Sequence, residues 1–202
     1  MLKLAVLISG GGSNLKALIE AAESPEYPAE IACVGSDTDA AGLAHAEAAG
    51  IPSFVIRPSD YASREEWGMA LAAAIQEHGV GTGPEPGLVV SAGLMRILPP
   101  GFVRAFSPRL INTHPALLPL FPGAHAVRDA IAAGAAETGV TVHVIDEGVD
   151  TGPVLRQAVV AVRPGETEDA LHERIKQQER PLLVDTVRAI AAGELALPDP
   201  PR

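Results

Sequence analysis

The chain has 202 residues, of which 47% are hydrophobic and 3% aromatic, and its formal net charge is −10. This length and composition predict one domain with an aliphatic core, and the acidic balance argues against nucleic acid or an anionic membrane as a partner, because both attract clustered Lys and Arg. The single cysteine, Cys33, excludes an intramolecular disulfide, favours a reducing compartment and lies in an apolar run typical of an inert core thiol.

The chain begins with an apolar run, residues 2–8, that predicts a strand. This run is too short to cross a bilayer and lacks the basic segment and cleavage site of a signal peptide. We therefore expect a cytoplasmic protein, a monomer or a homodimer, whose partners are small-molecule substrates rather than nucleic acid or a membrane.

Apolar runs of strand length alternate with longer Ala-rich segments of helical spacing, a pattern that predicts βαβ units and a mostly parallel sheet. In the N-terminal half, the predicted strands are 2–8, 30–34, 51–56 and 87–91, and the predicted helices are 14–22, 40–49 and 63–77. Ser63 and Glu66 have the spacing of a capping box at the start of the third helix. A Gly/Pro-rich patch at 79–87 predicts a surface insertion.

In the C-terminal half, a loop at 92–98 leads to a short helix, and the further predicted elements are a strand at 110–112, a helix at 125–133, strands at 139–145 and 154–162, and a helix from 168 to 192. The last two strands are joined by a loop too short for a helical crossover, so they predict an antiparallel pair. Thr167 caps the last helix, and Pro181 should kink or break it. The expected fold is α/β, a Rossmann-like three-layer, mostly parallel sheet with an antiparallel C-terminal strand pair, in one domain (1–196) with a flexible tail (197–202).

A glycine loop, residues 9–14, follows the first strand and opens the first helix. Its glycines let the backbone approach a ligand closely, and the helix N-terminus offers unpaired N–H groups to an anion. Leu15 stands at the third glycine of the dinucleotide fingerprint, and the lysine of a P-loop is absent. The loop therefore favours a single phosphate over a dinucleotide, with a plain tight turn as the alternative.

Asn112 and His114 stand at the end of a predicted strand, where Pro115 removes a backbone donor and ends the pairing. Residues i and i+2 of an extended segment lie on one side, so an amide and an imidazole could face one reacting atom. Two such donors suit the oxyanion formed by attack on a carbonyl. The alternatives are a turn-forming asparagine and a structural histidine. A structural role is assigned to the other five histidines, His45, His78, His125, His143 and His172.

An acidic loop, residues 146–153, lies between the two late strands. An aspartate of this loop beside His114 would favour the protonated imidazole. A solvated turn is the alternative. Metal binding by His114, Asp146 and Asp150 is a further one, although their spacing matches no zinc or calcium motif.

Lys176 and Glu179 are three residues apart on the last predicted helix and so share one helical face. Together they could bind a phosphate or hydroxyl group and an ammonium group. A surface ion pair is the alternative interpretation.

Four motifs, in this order, resemble those of the phosphoribosylglycinamide formyltransferase family: residues 8–15 (ISGGGSNL), 95–98 (MRIL), 112–119 (NTHPALLP) and 146–153 (DEGVDTGP). The resemblance implies the formyltransferase fold, 10-formyltetrahydrofolate as co-substrate, glycinamide ribonucleotide as the formyl acceptor, and no metal. Two related families carry an additional domain. Formyltetrahydrofolate hydrolase would add an N-terminal regulatory domain, and methionyl-tRNA formyltransferase a basic C-terminal domain. We expect neither domain here.

The resemblance also implies roles for single residues. Asn112 and His114 would stabilise the anionic oxygen of a tetrahedral intermediate, while Asp150 would keep His114 protonated and hold a water that moves a proton from the amine to N10 of the folate. The ribonucleotide and its phosphate would be bound mainly by the N-terminal half, through Gly12, Ser13 and Asn14, together with Lys176 and Glu179. The folate pocket would be lined by Arg64, Met95, Arg96, Ile97, Leu98, Asp146, Glu147, Gly148 and Val149.

Gly11, Leu94 and Val149 stand where the family often has Asn, an aromatic residue and Leu, so the details of the pocket stay open. Two other classes of protein remain as alternatives. The broken glycine fingerprint disfavours a nicotinamide-dependent Rossmann oxidoreductase. A non-catalytic folate- or nucleotide-binding module would not need the complete set of catalytic side chains.

Overall fold

A seven-stranded sheet forms the centre of the computed structural model, which describes residues 1–81 and 87–198. In chain order the strands are β1 (Leu2–Ile8), β2 (Ala29–Ser36), β3 (Ser53–Val55), β4 (Leu88–Ser91), β5 (Leu110–His114), β6 (Glu137–Val144) and β7 (Val154–Ala161). The spatial order is β3-β2-β1-β4-β5-β6-β7, parallel from β3 to β5 and antiparallel from β5 to β7. The predicted α/β sheet with its antiparallel C-terminal pair is confirmed.

Helices cover both faces of this sheet. In chain order they are α1 (Ser13–Ala22), α2 (Leu43–Ala48), α3 (Arg64–Glu77), α4 (Pro100–Phe106), α5 (Ala126–Ala132) and α6 (Glu168–Ala191). Along β1, Leu4 and Val6 point into the core layer formed with α1 and α6, whereas Ala5 and Leu7 point into the layer formed with α3 and α4. Burial on both sides explains why this strand reads as a continuous apolar run. Cys33 on β2 lies in the second layer, where burial raises the pKa of its thiol to about 12, as expected for an inert core residue.

Several elements differ in length from their predictions. The predicted helix 40–49 is the shorter α2, because the Gly42 N–H donates to the Gly10 carbonyl at 2.9 Å before the helix begins. The predicted strand 51–56 is the three-residue β3, which pairs with β2 at the sheet edge. Conversely, β5 continues to His114, because that residue pairs with Thr141 of β6.

The two predicted helix caps are present. The Thr167 hydroxyl accepts the Ala170 N–H at 3.3 Å, and the Ser63 hydroxyl accepts the Glu66 N–H at 3.2 Å. The Glu66 carboxylate, however, accepts the N–H of Ala62 at 3.2 Å, one residue before the position that a standard capping box predicts.

Pro181 lies inside α6, which continues through it, so of the predicted kink or break the break does not occur. An interior proline removes one helical hydrogen bond and costs about 3 kcal/mol. Leu183 and Val187, on the next two turns, are fully buried in the core layer formed with α1. Each such side chain contributes roughly 1.5–3 kcal/mol when buried, so packing offsets the defect.

The predicted surface insertion at 79–87 falls partly outside the described residues, as does the end of the predicted tail at 199–202. Leu197 packs against the core layer of α1 and α6, so the core includes this residue of the predicted tail. Across 1–81 and 87–198, no helix combines the length and the apolar character needed to cross a membrane.

Candidate active site

Three of the predicted functional segments meet at the carboxyl ends of the parallel strands. β2 and β3 lie on one side of β1, and β4 lies on its other side, so the strand order reverses between β1 and β4. In open α/β sheets, ligands bind outside the carboxyl ends of the strands at such a reversal. The glycine loop follows β1, the loop 92–98 follows β4, and Asn112 and His114 end β5. The Asn14 side chain bridges two of these segments, with Nδ2 3.5 Å from the Thr113 hydroxyl.

The Asn112 amide is oriented by a histidine that faces it across the antiparallel ladder. Asn112 and His143 are directly opposite each other, so their side chains share one face of the sheet. Nδ1 of His143 donates to the Val144 carbonyl at 3.0 Å, and its Nε2 lies 3.3 Å from Nδ2 of Asn112. Nε2 therefore accepts one amide hydrogen and leaves the second amide hydrogen of Asn112 for another acceptor.

His143 is 2% exposed, and desolvation by burial lowers its pKa, against the opposing effects of the Val144 carbonyl and the Asp150 carboxylate. A neutral imidazole with its proton on Nδ1 fits these contacts. In this tautomer Nε2 of His143 carries no hydrogen and accepts the hydrogen bond from the Asn112 amide. The burial of His143, which favours its neutral form, therefore determines the direction of this hydrogen bond.

His114 is 4% exposed, and both ring nitrogens face acceptors. Nδ1 lies 3.4 Å from Oδ2 of Asp150, and Nε2 lies 2.8 Å from the Phe121 carbonyl oxygen. Nε2 donates to the Phe121 carbonyl oxygen, and Nδ1 lies within ion-pair distance of the Asp150 carboxylate. The predicted approach of Asp150 to His114 is thus present in the structure.

Asp150 is held in an uncommon backbone conformation with φ 55°. Its Oδ2 accepts the Gly123 N–H at 2.8 Å, and its Oδ1 lies 3.6 Å from Nε2 of His143. One carboxylate therefore faces His114 and His143 and also binds the 119–125 segment. A non-glycine residue with positive φ is costly and is found preferentially at functional sites.

The rest of the acidic loop supports this conformation. Oδ1 of Asp146 accepts the Gly148 N–H at 3.0 Å and the Thr151 hydroxyl at 2.7 Å. The Glu147 carboxylate pairs with Arg104 at 2.8 Å, and Val149 is about half exposed. The Asp146 side chain thus stabilises the conformation of its own loop through these two hydrogen bonds. Within 1–81 and 87–198, no group of three His, Cys, Asp or Glu side chains is arranged to bind a metal ion.

The glycine loop presents backbone donors rather than side chains. Gly12, with φ 68°, is the N-cap residue of α1. In the part of the chain that the structure describes, the N–H groups of Gly11, Gly12 and Ser13 donate to no protein acceptor. Asn14 is only 5% exposed and its amide points to Thr113, so it can offer a ligand its N–H but not its side chain.

The residues expected to line a folate pocket divide into two groups. Met95 and Ile97 are 75% and 61% exposed and form an accessible apolar surface, and Arg64 donates to the Ile97 carbonyl at 2.9 Å. Leu98 is buried in the core layer of α3 and α4. Its side chain therefore packs in the core, and the expectation that Leu98 lines the folate pocket stays a prediction.

Arg96 takes part in a network that sequence reasoning missed. Its Nε donates to Oδ2 of Asp37 at 2.6 Å, and the Ser9 hydroxyl donates to Oδ1 of Asp37 at 2.6 Å. The Ser9 oxygen in turn accepts the Met95 N–H at 2.8 Å. Burial would raise the pKa of Asp37, but the hydrogen bonds from Ser9 and Arg96 and the charge of Arg96 outweigh it and lower this pKa. Asp37 thereby connects the glycine loop to the loop 92–98.

Lys176 and Glu179 are not in contact with the glycine loop. Nζ of Lys176 pairs with Glu173 at 2.7 Å, as in the alternative interpretation, while Glu179 is 9% exposed. Their helix α6 packs against α1, which the glycine loop opens.

From the sequence, His143 is expected to be structural, and no role is predicted for Asp37. A signal existed for both. His143 occupies a polar position in an alternating strand, and Asp37 follows a strand whose end meets those of β1 and β4.

An oxyanion-type pair of donors, a carboxylate beside the imidazole and a loop of free N–H groups are the features that an acyl-transfer enzyme with a phosphorylated acceptor needs. The family model described as formyl transferase matches residues 2–187. The chain is 50% identical over 189 residues to phosphoribosylglycinamide formyltransferase of Mycobacterium tuberculosis, covering 94% of the chain and 85% of that relative. It therefore belongs to the formyl transferase family and, within it, to the phosphoribosylglycinamide formyltransferases.

Two further comparisons agree with this assignment. The crystal structure of glycinamide ribonucleotide transformylase 1 from Symbiobacterium toebii has a TM-score of 0.92 at 38% identity, over 99% of this chain and 92% of that one. The chain is also 41% identical over 196 residues to the trifunctional purine biosynthetic protein adenosine-3 of Drosophila pseudoobscura pseudoobscura. That match covers 96% of the chain and 14% of the much longer relative.

Proposed function

We propose that this protein transfers the formyl group of 10-formyltetrahydrofolate to the amine of glycinamide ribonucleotide, giving formylglycinamide ribonucleotide and tetrahydrofolate in de novo purine biosynthesis. One observation carries the proposal. Nδ2 of Asn112 donates to His143 at 3.3 Å, and the Asp150 carboxylate lies 3.4 Å from His114 and 3.6 Å from His143. This cluster lies at the end of the sheet where the glycine loop presents its free N–H groups.

The first step is attack of the substrate amine on the formyl carbon. The amine nitrogen forms a bond to carbon, and the electron pair of the carbonyl moves to oxygen. The remaining amide hydrogen of Asn112 and an N–H of His114 donate to this oxyanion; one such donor typically supplies about 10²- to 10³-fold in rate. In the structure, Nε2 of His114 donates its hydrogen bond to the Phe121 carbonyl oxygen. The substrate oxygen must therefore replace this carbonyl as the acceptor.

The second step moves a proton and expels the folate. The attacking nitrogen loses a proton, N10 of the folate gains one, and the bond between carbon and N10 breaks as the carbonyl reforms. Asp150 lies beside Nδ1 of His114 and holds the water that carries the proton, which is general acid–base catalysis through one relay. No redox change occurs, and the chemistry needs no metal.

The ribonucleotide phosphate lies against the N–H groups of Gly12, Ser13 and Asn14 at the positive end of α1, a favourable place for an anion on a protein of net charge −10. Lys176 and Glu179 complete this end of the site, with Lys176 leaving Glu173 for the ligand. The folate lies along Met95 and Ile97, with Arg64, Arg96 and the loop 146–149 beside it and Leu98 contributing backbone only. A cytoplasmic location and a monomeric or dimeric state stay predictions.

The test is to incubate the purified protein with glycinamide ribonucleotide and a 10-formylfolate and to follow the deformylated folate by absorbance. We expect deformylation that depends on the ribonucleotide, so a reaction without it serves as the control. Folded protein that gives no signal would overturn the proposal. Deformylation that is equally fast without the ribonucleotide would identify water as the acceptor and would also contradict it.

A further inference from the structure

Two successive carbonyl groups of the glycine loop accept hydrogen bonds from residues at the start of α2. The Gly42 N–H donates to the Gly10 carbonyl at 2.9 Å. Two residues into α2, His45 is half-buried, and its Nε2 lies 3.1 Å from the Gly11 carbonyl oxygen. A carbonyl oxygen only accepts, so His45 is the donor of this bond.

These bonds determine which way the loop amides point. In a trans peptide the carbonyl of one residue and the N–H of the next lie in one plane and point in opposite directions. The Gly10 and Gly11 carbonyls point to α2, so the N–H groups of Gly11 and Gly12 point away from it. These are donors that find no protein acceptor within the described residues, and they face the side on which a ligand can approach.

Packing alone does not fix this orientation. An added Cβ at Gly10 or at Gly11 would meet no atom within 4 Å, so both residues have open space and the full conformational freedom of glycine. Gly42 is different, because a Cβ there would lie 2.9 Å from the Gly12 nitrogen. The close approach of Gly42 sets the position of the loop, while the bond from His45 sets the orientation of the Gly11–Gly12 peptide.

We infer that His45 is a positioning residue for the phosphate of the ribonucleotide: its Nε2 fixes the Gly11–Gly12 peptide so that the Gly12 N–H faces the phosphate. This inference rests on the proposed function, since the ligand is the acceptor substrate. The role requires a donor and not a charge, because the neutral Nε2–H form and the imidazolium both donate from Nε2.

The experiment compares His45→Ala with His45→Gln, which keeps a side-chain N–H donor without the charge. We expect the KM for glycinamide ribonucleotide to rise roughly 3- to 10-fold in His45→Ala, the effect of one lost hydrogen bond. The kcat and the KM for 10-formylfolate should stay at the wild-type values, and His45→Gln should restore most of the loss. Glu47→Ala, an exposed change on the same helix, is the matched control and should match the wild type.

A wild-type KM for the ribonucleotide in His45→Ala would overturn the inference, as would a His45→Gln variant as impaired as His45→Ala. If His45→Ala does not fold, His45→Met, which has similar length and no donor, carries the same comparison. A wild-type protein that formylates the ribonucleotide while His45→Ala is unchanged refutes only the role of His45. A wild-type protein without formyl transfer refutes the proposed function itself.

Discussion

Oδ2 of Asp150 lies 3.4 Å from Nδ1 of His114, although Asp150 comes from the loop between β6 and β7 and His114 ends β5. The same oxygen accepts the Gly123 N–H, and the second carboxylate oxygen faces His143. Asp150 therefore faces both histidines of the site. Its charge is available to His114, because burial keeps His143 neutral.

Asp150→Asn tests this use of charge. The amide oxygen can still accept the Gly123 N–H, but His114 loses its anionic partner and the relay loses its carboxylate. We expect kcat to fall by about 10²- to 10⁴-fold, the usual contribution of acid–base catalysis. The KM for the ribonucleotide should change little, since the glycine loop is untouched. Steady-state kinetics measure both quantities, and a kcat near the wild-type value would contradict the role of Asp150.

Lys176→Ala tests the ribonucleotide end of the site. A charge-assisted contact to the substrate is lost, so the KM for glycinamide ribonucleotide should rise roughly tenfold or more, with a smaller effect on kcat. Glu173→Ala is the matched control, because it removes the present partner of Lys176 and leaves the cation available. If the two variants have the same KM, Lys176 does not bind the substrate.

Asp37→Asn tests the connection between the glycine loop and the folate loop. Asparagine can accept the Ser9 hydroxyl with its oxygen, but its NH2 group cannot accept from Arg96. We expect the KM for 10-formylfolate to rise roughly 3- to 10-fold. Asp39→Asn, which removes an exposed carboxylate paired with Arg57, should have no measurable effect. Equal folate KM values for the two variants would show that the Asp37 network does not position the pocket.

His143 makes stability depend on pH. Burial lowers its folded-state pKa below the ordinary value of 6.5, so the unfolded chain binds the proton first as pH falls. Its contribution is complete above pH 6.5 and is lost as pH falls from there towards the lowered pKa, by at most about 1.4 kcal/mol per pH unit. Urea unfolding at pH 7.5 and pH 5.5 should show a larger loss of stability in the wild type than in His143→Gln. Identical losses in the two proteins would contradict a neutral, buried His143.

Sequence patterns were sufficient for the architecture and for the alignment of Asn112 and His114 on β5. The alternation of apolar runs with Ala-rich segments predicted the parallel sheet, and the spacing of Asn112 and His114 placed both on one side of a strand. These predictions depend on local periodicity, which a single sequence contains.

What the sequence could not show depends on contacts between distant segments. His143 reaches Asn112 only through the register of β5 and β6, and Asp37 reaches Arg96 only because β2, β1 and β4 end side by side. Pro181 was expected to interrupt α6, but core packing outweighs the missing hydrogen bond. The direction of the Leu98 side chain follows from packing against α3 and α4, which no motif encodes.

The rate of formyl transfer in a single turnover of His114→Ala tests the central claim most directly. With saturating glycinamide ribonucleotide and 10-formyltetrahydrofolate, rapid quenching and mass detection of the formylated product isolate the chemical step. We expect this step to slow by at least about 10²- to 10³-fold, because an oxyanion donor and the group paired with Asp150 are lost together. His78→Ala, a change at the end of α3, should react at the wild-type rate. A near-wild-type rate in folded His114→Ala would contradict the account of this active site.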